Sequence, residues 1–347
     1  MILTKKFVVG CHVMWYELEM FEEHCRSIAQ MLENVENKAN VTVHFCFNFQ
    51  EHYEEIDWKS LYNRFTGKGL YVENPDRFKR LVEQFENIWG EIIPYPTNIQ
   101  IRCKYTENQC GERLPFYNIA DYRRELNDTY CSTHDFVMWG ETDSLWPKQT
   151  FEIIESINKL IFESEGVAKF VISFADRKMW DSWWDILTHP KFKSVRFEDT
   201  EDWALNNPAS GKSYMSLEQM NEINNIPLKD VDIVELRKPK FDGSCLVISS
   251  DLIKSGINIP RSLLLAGEDT AFAKMCELIL GENYRQYHVE NILHVHNRRH
   301  PKKRLYVLNE NNPNGFCDLR KGEWWEDLTR KSKENLNNIT TQFKFNK

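Results

Sequence analysis

The sequence predicts an α/β protein whose central sheet is mostly parallel and carries helices on both faces. Short β-branched runs alternate along the chain with segments in which apolar residues recur every three or four positions, the spacing of an amphipathic helix. Hydrophobic residues make up 41% of the 347-residue chain, which is ample material for a buried core. This length favours one large α/β domain with a C-terminal extension, or two packed domains.

A strand–helix–strand unit opens the chain. The short apolar runs at 7–13 and 41–48 each predict a buried strand. Between them, Leu18, Phe21 and Cys25 begin a series of apolar residues at helical spacing. Because the carboxyl ends of parallel strands meet at one edge of a sheet, this unit places loops where ligands usually bind.

The remaining elements are predicted in the same way. Residues 51–115 have a weaker, aromatic and charged pattern, which indicates an elaborated insertion with one or two helices. Regular elements then follow in chain order: a helix at 117–126, a strand at 136–140, a helix from Pro147, a strand at 168–174, a strand at 243–249, a helix from 267 and a strand at 292–297. Residues 306–347 are expected to form a C-terminal extension, and the last of them, 335–347, to fray.

Charge and cysteine content disfavour several classes of protein. The net charge of −8 argues against a protein that holds long nucleic acid by a general positive field. Nine cysteines occur without a C-x-x-C pair, so neither a zinc ribbon nor a disulfide framework is indicated, and a reducing cytoplasm fits best. The first apolar segment is too short for a signal peptide, and no run of about 18 apolar residues predicts a membrane span.

Two carboxylates follow the apolar strand at 136–140. Glu141 and Asp143 are spaced i, i+2, with Thr142 between them, so on a regular strand both side chains point to one face. Hard oxygen ligands at a strand end are what a divalent cation on a diphosphate requires. The alternative is an ordinary strand end whose acidic residues face water.

Two later motifs supply further candidates. Glu268 and Asp269 follow Gly267 at a predicted helix start, where a carboxylate can act as a general base, although acidic residues are also ordinary in a first helical turn. His294 and His296 alternate along the last predicted strand and share one face, so both can reach a cleft. A single histidine is more often a structural residue than a metal ligand.

The order of these features resembles that of the GT-A glycosyltransferases, particularly the family-2-like enzymes, over roughly residues 5–300. The resemblance implies a GT-A-like Rossmann-type sandwich, with residues 1–305 as the catalytic domain. Its nucleotide-sugar half would span about 1–165, with the insertion at 51–115, and its acceptor half about 166–305.

The resemblance also implies roles for the motif residues. The acidic motif would hold Mn²⁺ or Mg²⁺ on the donor diphosphate, with Asp143 as the main ligand. Glu141 stands where the family usually has Asp, which leaves its role in doubt. Asp269 would be the catalytic base, and Glu268 would contact the acceptor. A histidine would be a further metal ligand, and His296 fits better than His294 because it lies nearer the strand end.

Candidate ligands of the nucleotide sugar lie at the ends of the first two strands, around the acidic motif and in the basic run 298–304. They are His12, Val13, Asn48, Arg123, Arg124, Thr142, Arg298 and Lys302. The basic run would neutralise the departing nucleotide diphosphate or contact a phosphate-bearing acceptor. Alternatively, His12 and Asn48 are turn or capping residues, and the basic residues are solvated surface charges.

A tryptophan-rich cluster is the candidate acceptor site. It consists of Trp180, Asp181, Trp183 and Trp184. Sugars and bases stack on indole faces, and carboxylates accept hydrogen bonds from hydroxyl groups. The alternative is a helix that packs two of these tryptophans into the core.

Together these features predict a metal-dependent glycosyltransferase that moves a sugar from a nucleotide donor, expected to be UDP-linked, to a hydroxyl acceptor with inversion. Similar enzymes use glycans or, in some phages, modified DNA bases as acceptors. Two alternatives stay open: a nucleotidyltransferase with a similar acidic site, and a non-catalytic carbohydrate- or nucleic-acid-binding protein. A nucleotidyltransferase would normally have a glycine-rich basic loop after the first strand, and residues 10–14 offer none.

Overall fold

The computed structural model describes residues 1–48, 75–93, 97–102, 117–178, 215–263, 267–297 and 330–338. Within these ranges nine strands form one sheet. The strands are β1 (Phe7–Met14), β2 (Val41–Asn48), β3 (Thr97–Arg102), β4 (Phe136–Glu141), β5 (Ser144–Leu145), β6 (Val171–Lys178), β7 (Ile233–Leu236), β8 (Leu246–Ser249) and β9 (Gln286–His296).

Helices connect these strands, and two of them carry site residues. The described helices are α1 (Leu18–Leu32), α2 (Pro75–Ile92), α3 (Ile119–Tyr130), α4 (Thr150–Ile157), α5 (Glu163–Glu165), α6 (Leu217–Ile223), α7 (Ser250–Lys254), α8 (Glu268–Leu280) and α9 (330–338). Asn118 caps α3, because its side chain accepts hydrogen bonds from the Ala120 and Asp121 amides. Gly267 precedes α8 with a φ of 85°, a left-handed conformation that favours glycine.

The sheet is mostly parallel. Its strand order is β3-β2-β1-β4-β8-β6-β9-β5, and β7 also pairs with β9. β1 is parallel to β2 and β4, β2 to β3, and β6 to β9, whereas β8 is antiparallel to both β4 and β6. Six strands therefore share one direction, and β5, β7 and β8 oppose them. The predicted α/β class and the predicted strand–helix–strand unit are confirmed.

Hydrophobic cores lie on both faces of the sheet. On one face, Phe21 and Ile28 of α1 pack against alternate residues of β1 such as Val9. On the other face, Leu126 of α3 and Phe272 of α8 pack in a second core. These three helices bury apolar residues against the sheet, as the three-and-four spacing predicts.

Several described elements differ from the sequence prediction. β3 lies in the segment 51–115, for which one or two helices are predicted, and it extends the sheet beyond β2. β9 begins at Gln286, before the predicted strand at 292–297. The helix predicted from Pro147 begins at Thr150, because the Pro147 carbonyl accepts hydrogen bonds from the Thr150 amide and hydroxyl in a turn.

Residues 330–338, which lie within the predicted C-terminal extension, are helical, and this helix includes the first four residues of the segment predicted to fray. None of the helices in the described ranges combines the length and the apolar character needed to cross a bilayer.

Candidate active site

Most of the described candidate residues lie where the parallel strands end. Glu141, the last residue of β4, is the register partner of His12 on β1. Asn48 ends β2, and His296 ends β9. These strands all run in one direction, so their carboxyl ends form a common edge, the usual place for a ligand in an α/β sheet.

Glu141, Asp143 and His296 form a cluster at this edge. Their potential metal-binding atoms all lie within 4.8 Å of one another. The His296 Nε2 atom is 3.1 Å from a Glu141 carboxylate oxygen and 3.3 Å from an Asp143 oxygen. The turn from β4 to β5 sets this arrangement, because the Ser144 hydroxyl donates to the Glu141 carbonyl at 2.9 Å and β5 pairs with the end of β9.

The donor set of this cluster suits a divalent cation. Two carboxylates and one imidazole are ligands that Mn²⁺ accepts. Burial alone would lower the pKa of His296, but the Asp143 and Glu141 carboxylates outweigh burial and hold the pKa well above its ordinary value. A proton on His296 and a cation would therefore compete for the same two carboxylates.

Arg123 on α3 connects this cluster to the start of α8. Its side chain is 1% exposed, and its two terminal nitrogens lie 2.7 Å from a Glu141 oxygen and 2.5 Å from a Glu268 oxygen. The guanidinium carbon also lies 4.9 Å from the centre of the Trp139 ring. Burial raises the pKa of Glu141, but His296 and Arg123 overcome this effect and bring it to about 2, so Glu141 stays ionised.

Glu268 and Asp269 have different surroundings although they are adjacent. Glu268 is 8% exposed and is held by Arg123. Burial raises its pKa to about 7, although Arg123 opposes the shift. Asp269 is half-buried and accepts a 2.6 Å hydrogen bond from the Thr270 amide. Asp269 is therefore the more accessible carboxylate of the pair.

His12 and Asn48 make a buried polar contact at the ends of β1 and β2. The Asn48 side-chain nitrogen donates to the Tyr117 carbonyl at 2.6 Å and lies 3.2 Å from His12 Nε2. Burial lowers the pKa of His12 to about 3, so its imidazole is neutral. Within the described part of the chain, the buried Oδ1 atom of Asn48 has no hydrogen-bond partner, so it is able to accept a hydrogen bond from a ligand.

Three other predicted ligands of the nucleotide sugar have different contacts. The side chain of Val13 lies in the core on the α1 face of the sheet. The hydroxyl of Thr142 donates to a Glu17 carboxylate oxygen at 2.7 Å. Arg124 donates to the Ile259 carbonyl at 2.9 Å, so it holds the loop after α7.

His294 belongs to a second group of residues. Its Nε2 atom lies 3.2 Å from an Asp176 oxygen and 3.9 Å from an Asp242 oxygen. The sequence analysis missed both aspartates. Asp176 has a detectable signal, because it closely follows the apolar run at 168–174, much as Glu141 follows its own strand. Asp242 lies in the loop before β8, where the sequence has no comparable signal.

The remaining candidates lie outside the described residues, so their roles stay predictions. They are Trp180, Asp181, Trp183, Trp184, Arg298 and Lys302.

Comparisons with known proteins give limited information. No family model and no curated protein matches this sequence. The solved structures that match include a crystal structure of S. aureus TarS, residues 1–349, with a TM-score of 0.42 and 12% sequence identity. The match covers 96% of this chain and 80% of that one. At this level of similarity, the chemistry of the site has to be inferred from its own side chains.

Proposed function

We propose that this protein is a divalent-metal-dependent glycosyltransferase that moves a sugar from a nucleotide diphosphate donor to a hydroxyl acceptor. The observation that carries the proposal is the convergence of Glu141, Asp143 and His296 at the carboxyl edge of the sheet. Through Arg123, this cluster is connected to the helix start that presents Asp269. A cation site and a nearby carboxylate are the two groups that an inverting transfer needs.

The donor would bind along the ends of β1, β2 and β4. The buried Oδ1 atom of Asn48 would accept a hydrogen bond from an N–H group of the base, which is the ring N–H of uracil in a UDP-linked donor. Asp143, His296 and Glu141 would hold the cation. A bound Mn²⁺ or Mg²⁺ would neutralise the charge that develops on the leaving diphosphate.

Asp269 would take the proton of the acceptor hydroxyl as its oxygen attacks the anomeric carbon. Its partial exposure supports this role, because a base has to reach the hydroxyl directly. Glu268 is held by Arg123 and is buried, so we assign it to positioning the start of α8. This assignment replaces the contact with the acceptor that the sequence alone suggests for Glu268.

The test is isothermal titration of the full chain with UDP-glucose and a panel of other nucleotide sugars, with and without Mn²⁺. We expect metal-dependent binding that Asp143→Asn abolishes. Asp269→Asn should keep donor and Mn²⁺ binding but lose about 100-fold or more in kcat, measured as release of the nucleotide diphosphate. The control is Asp251→Asn, which changes an exposed carboxylate on α7 that pairs with Lys254 and should behave as the wild type.

Normal turnover by Asp143→Asn would remove the proposal. Metal-dependent binding of nucleoside triphosphates, without binding of nucleotide sugars, would instead favour a nucleotidyltransferase. Binding of neither class of ligand would leave a non-catalytic binding protein.

A further inference from the structure

Asp176, Asp242 and His294 form a second group whose potential ligand atoms lie within 4.8 Å of one another. They come from three separate elements. Asp176 on β6 is the register partner of His294 on β9, and Asp242 lies in the loop before β8. The Ser244 hydroxyl is 2.9 Å from His294 Nε2 and donates to an Asp242 oxygen at 2.8 Å. The group therefore offers two carboxylates, one imidazole and one hydroxyl at a single point.

Burial makes this group costly without a compensating positive charge. His294 is 3% exposed and Asp176 8% exposed. Two carboxylates that lie close together and are largely withdrawn from water repel each other. A divalent cation balances both, and the mixture of oxygen and imidazole donors suits Mn²⁺.

The second group is distinct from the Glu141 cluster, but one of its members, Asp242, also lies near His296 of that cluster. His296 presents Nε2 to Glu141 and Asp143, and its Nδ1 atom lies 3.8 Å from an Asp242 oxygen. The other oxygen of Asp242 faces His294. Asp242 therefore lies between the two groups, with one carboxylate oxygen towards each histidine.

A cleft gives access to the second group. Its volume is about 520 Å³, and its lining includes Asp176, Asp242, Ser244 and His294. The cleft also runs past Thr270 at the start of α8, beside Asp269. A hydrated ion and an oxygen-bearing ligand both fit in this volume.

We propose that Asp176, Asp242, His294 and Ser244 form a second divalent-cation site, which opens on this cleft. The proposal does not depend on glycosyl transfer, because it concerns a separate set of ligands. The site would bind Mn²⁺ in the absence of any nucleotide sugar.

The test is to count the Mn²⁺ ions bound per full-length chain by equilibrium titration with electron paramagnetic resonance detection of free Mn²⁺. We expect two ions in the wild type, one in Asp176→Asn, one in Asp143→Asn and none in the double variant. His294→Gln should also bind one ion, which keeps the test valid if Asp176→Asn fails to fold. The control Asp251→Asn should bind two.

Three outcomes overturn the proposal. The first is that Asp176→Asn and His294→Gln both bind as many ions as the wild type, and the second is that the wild type binds no ion. The third outcome is a wild type that binds a single ion, which Asp143→Asn removes. One ion that persists in Asp143→Asn and disappears in Asp176→Asn would keep this site while removing the metal from the proposed transfer reaction. An anomalous difference peak beside His294 Nε2, in crystals soaked with MnCl₂, would locate the ion directly.

Discussion

Arg123 is the residue through which the two acidic motifs meet. The sequence places a pair of arginines on α3 but does not distinguish between them, because neighbouring helical residues point about 100° apart and the rotation of α3 against the sheet depends on tertiary packing. The structure turns Arg123 inward, where it contacts Glu141 and Glu268, and turns Arg124 towards Ile259. Truncating Arg123 would remove positive charge from the buried Glu268 and the partly buried Glu141.

We therefore expect Arg123→Met to lower the free energy of unfolding by about 3–5 kcal/mol, because removing one partner of a buried ion pair leaves an uncompensated charge. The matched control is Arg26→Met, since Arg26 pairs with Glu22 at 2.8 Å on the surface. That change should cost at most about 1 kcal/mol. Urea unfolding of both variants at one pH measures the difference, and equal losses would contradict it.

At the scale of elements, the close approach of α1 to β4 positions the turn that carries Asp143. His24 on α1 is fully buried and contacts the Ser144 carbonyl through Nδ1 at 2.6 Å. Gly140 permits this approach, because a Cβ there would lie 2.8 Å from His24 Cε1 and 3.2 Å from the Gly10 carbonyl oxygen. The turn that carries Asp143 is thus supported by a histidine that takes no part in the cluster.

Gly140→Ala should destabilise the protein by about 1–3 kcal/mol, because the added methyl group overpacks a filled site. It should also weaken Mn²⁺ binding, since His24 has to shift away from the turn. Gly90→Ala in α2 is the control: its Cβ would meet no atom of the described residues within 4 Å, so it should stabilise the helix by up to about 1 kcal/mol. Urea unfolding and Mn²⁺ titration of the two variants measure these effects. A Gly140→Ala variant with the stability and Mn²⁺ affinity of the wild type would show that α1 does not pack tightly against β4 at this position.

At the scale of the whole molecule, buried neutral histidines make stability depend on pH. Burial lowers the pKa of His12 to about 3 and the pKa values of His24 and His288 to about 4. Below pH 6.5 these histidines bind protons in the unfolded chain but stay neutral in the folded protein. The free energy of unfolding therefore decreases as pH falls towards the folded pKa values. His296 has the opposite effect, because its folded pKa is raised and its contribution grows as pH falls.

The expected result is a urea midpoint that falls between pH 7.5 and pH 5.0 in metal-free buffer. Each of the three neutral histidines costs about 2 kcal/mol at pH 5, at about 1.4 kcal/mol per pKa unit. His288→Gln should make the dependence shallower by roughly that amount, because it removes one of these groups. A midpoint in this variant that falls as steeply as in the wild type would argue against the assignment.

The strands and helices that local periodicity defines were predictable from the sequence. The meeting of His296 with Glu141 and Asp143 was expected only from the resemblance of the motif order to that of the GT-A enzymes. β3 was not predicted, because its alternating pattern contains only two apolar residues, Ile99 and Ile101, and is too short to stand out from the aromatic and charged segments around it. The grouping of His294 with Asp242 was not either. It depends on β8, which runs against its neighbours and places the loop before it beside β9.

β9 contributes a histidine to each group of potential ligands, and it follows every other strand of the described sheet along the chain. When a ribosome has synthesised residues 1–280, the chain contains all four acidic residues of the two groups but neither histidine. The acidic residues are Glu141, Asp143, Asp176 and Asp242, and the histidines are His294 and His296. In the finished sheet β6 pairs with β9 along its length, so among the described strands the chain without β9 has no partner for β6 on that side. Pairing of this one strand completes both ligand sets, so an ion that needs an imidazole from either set could bind only after β9 has been synthesised.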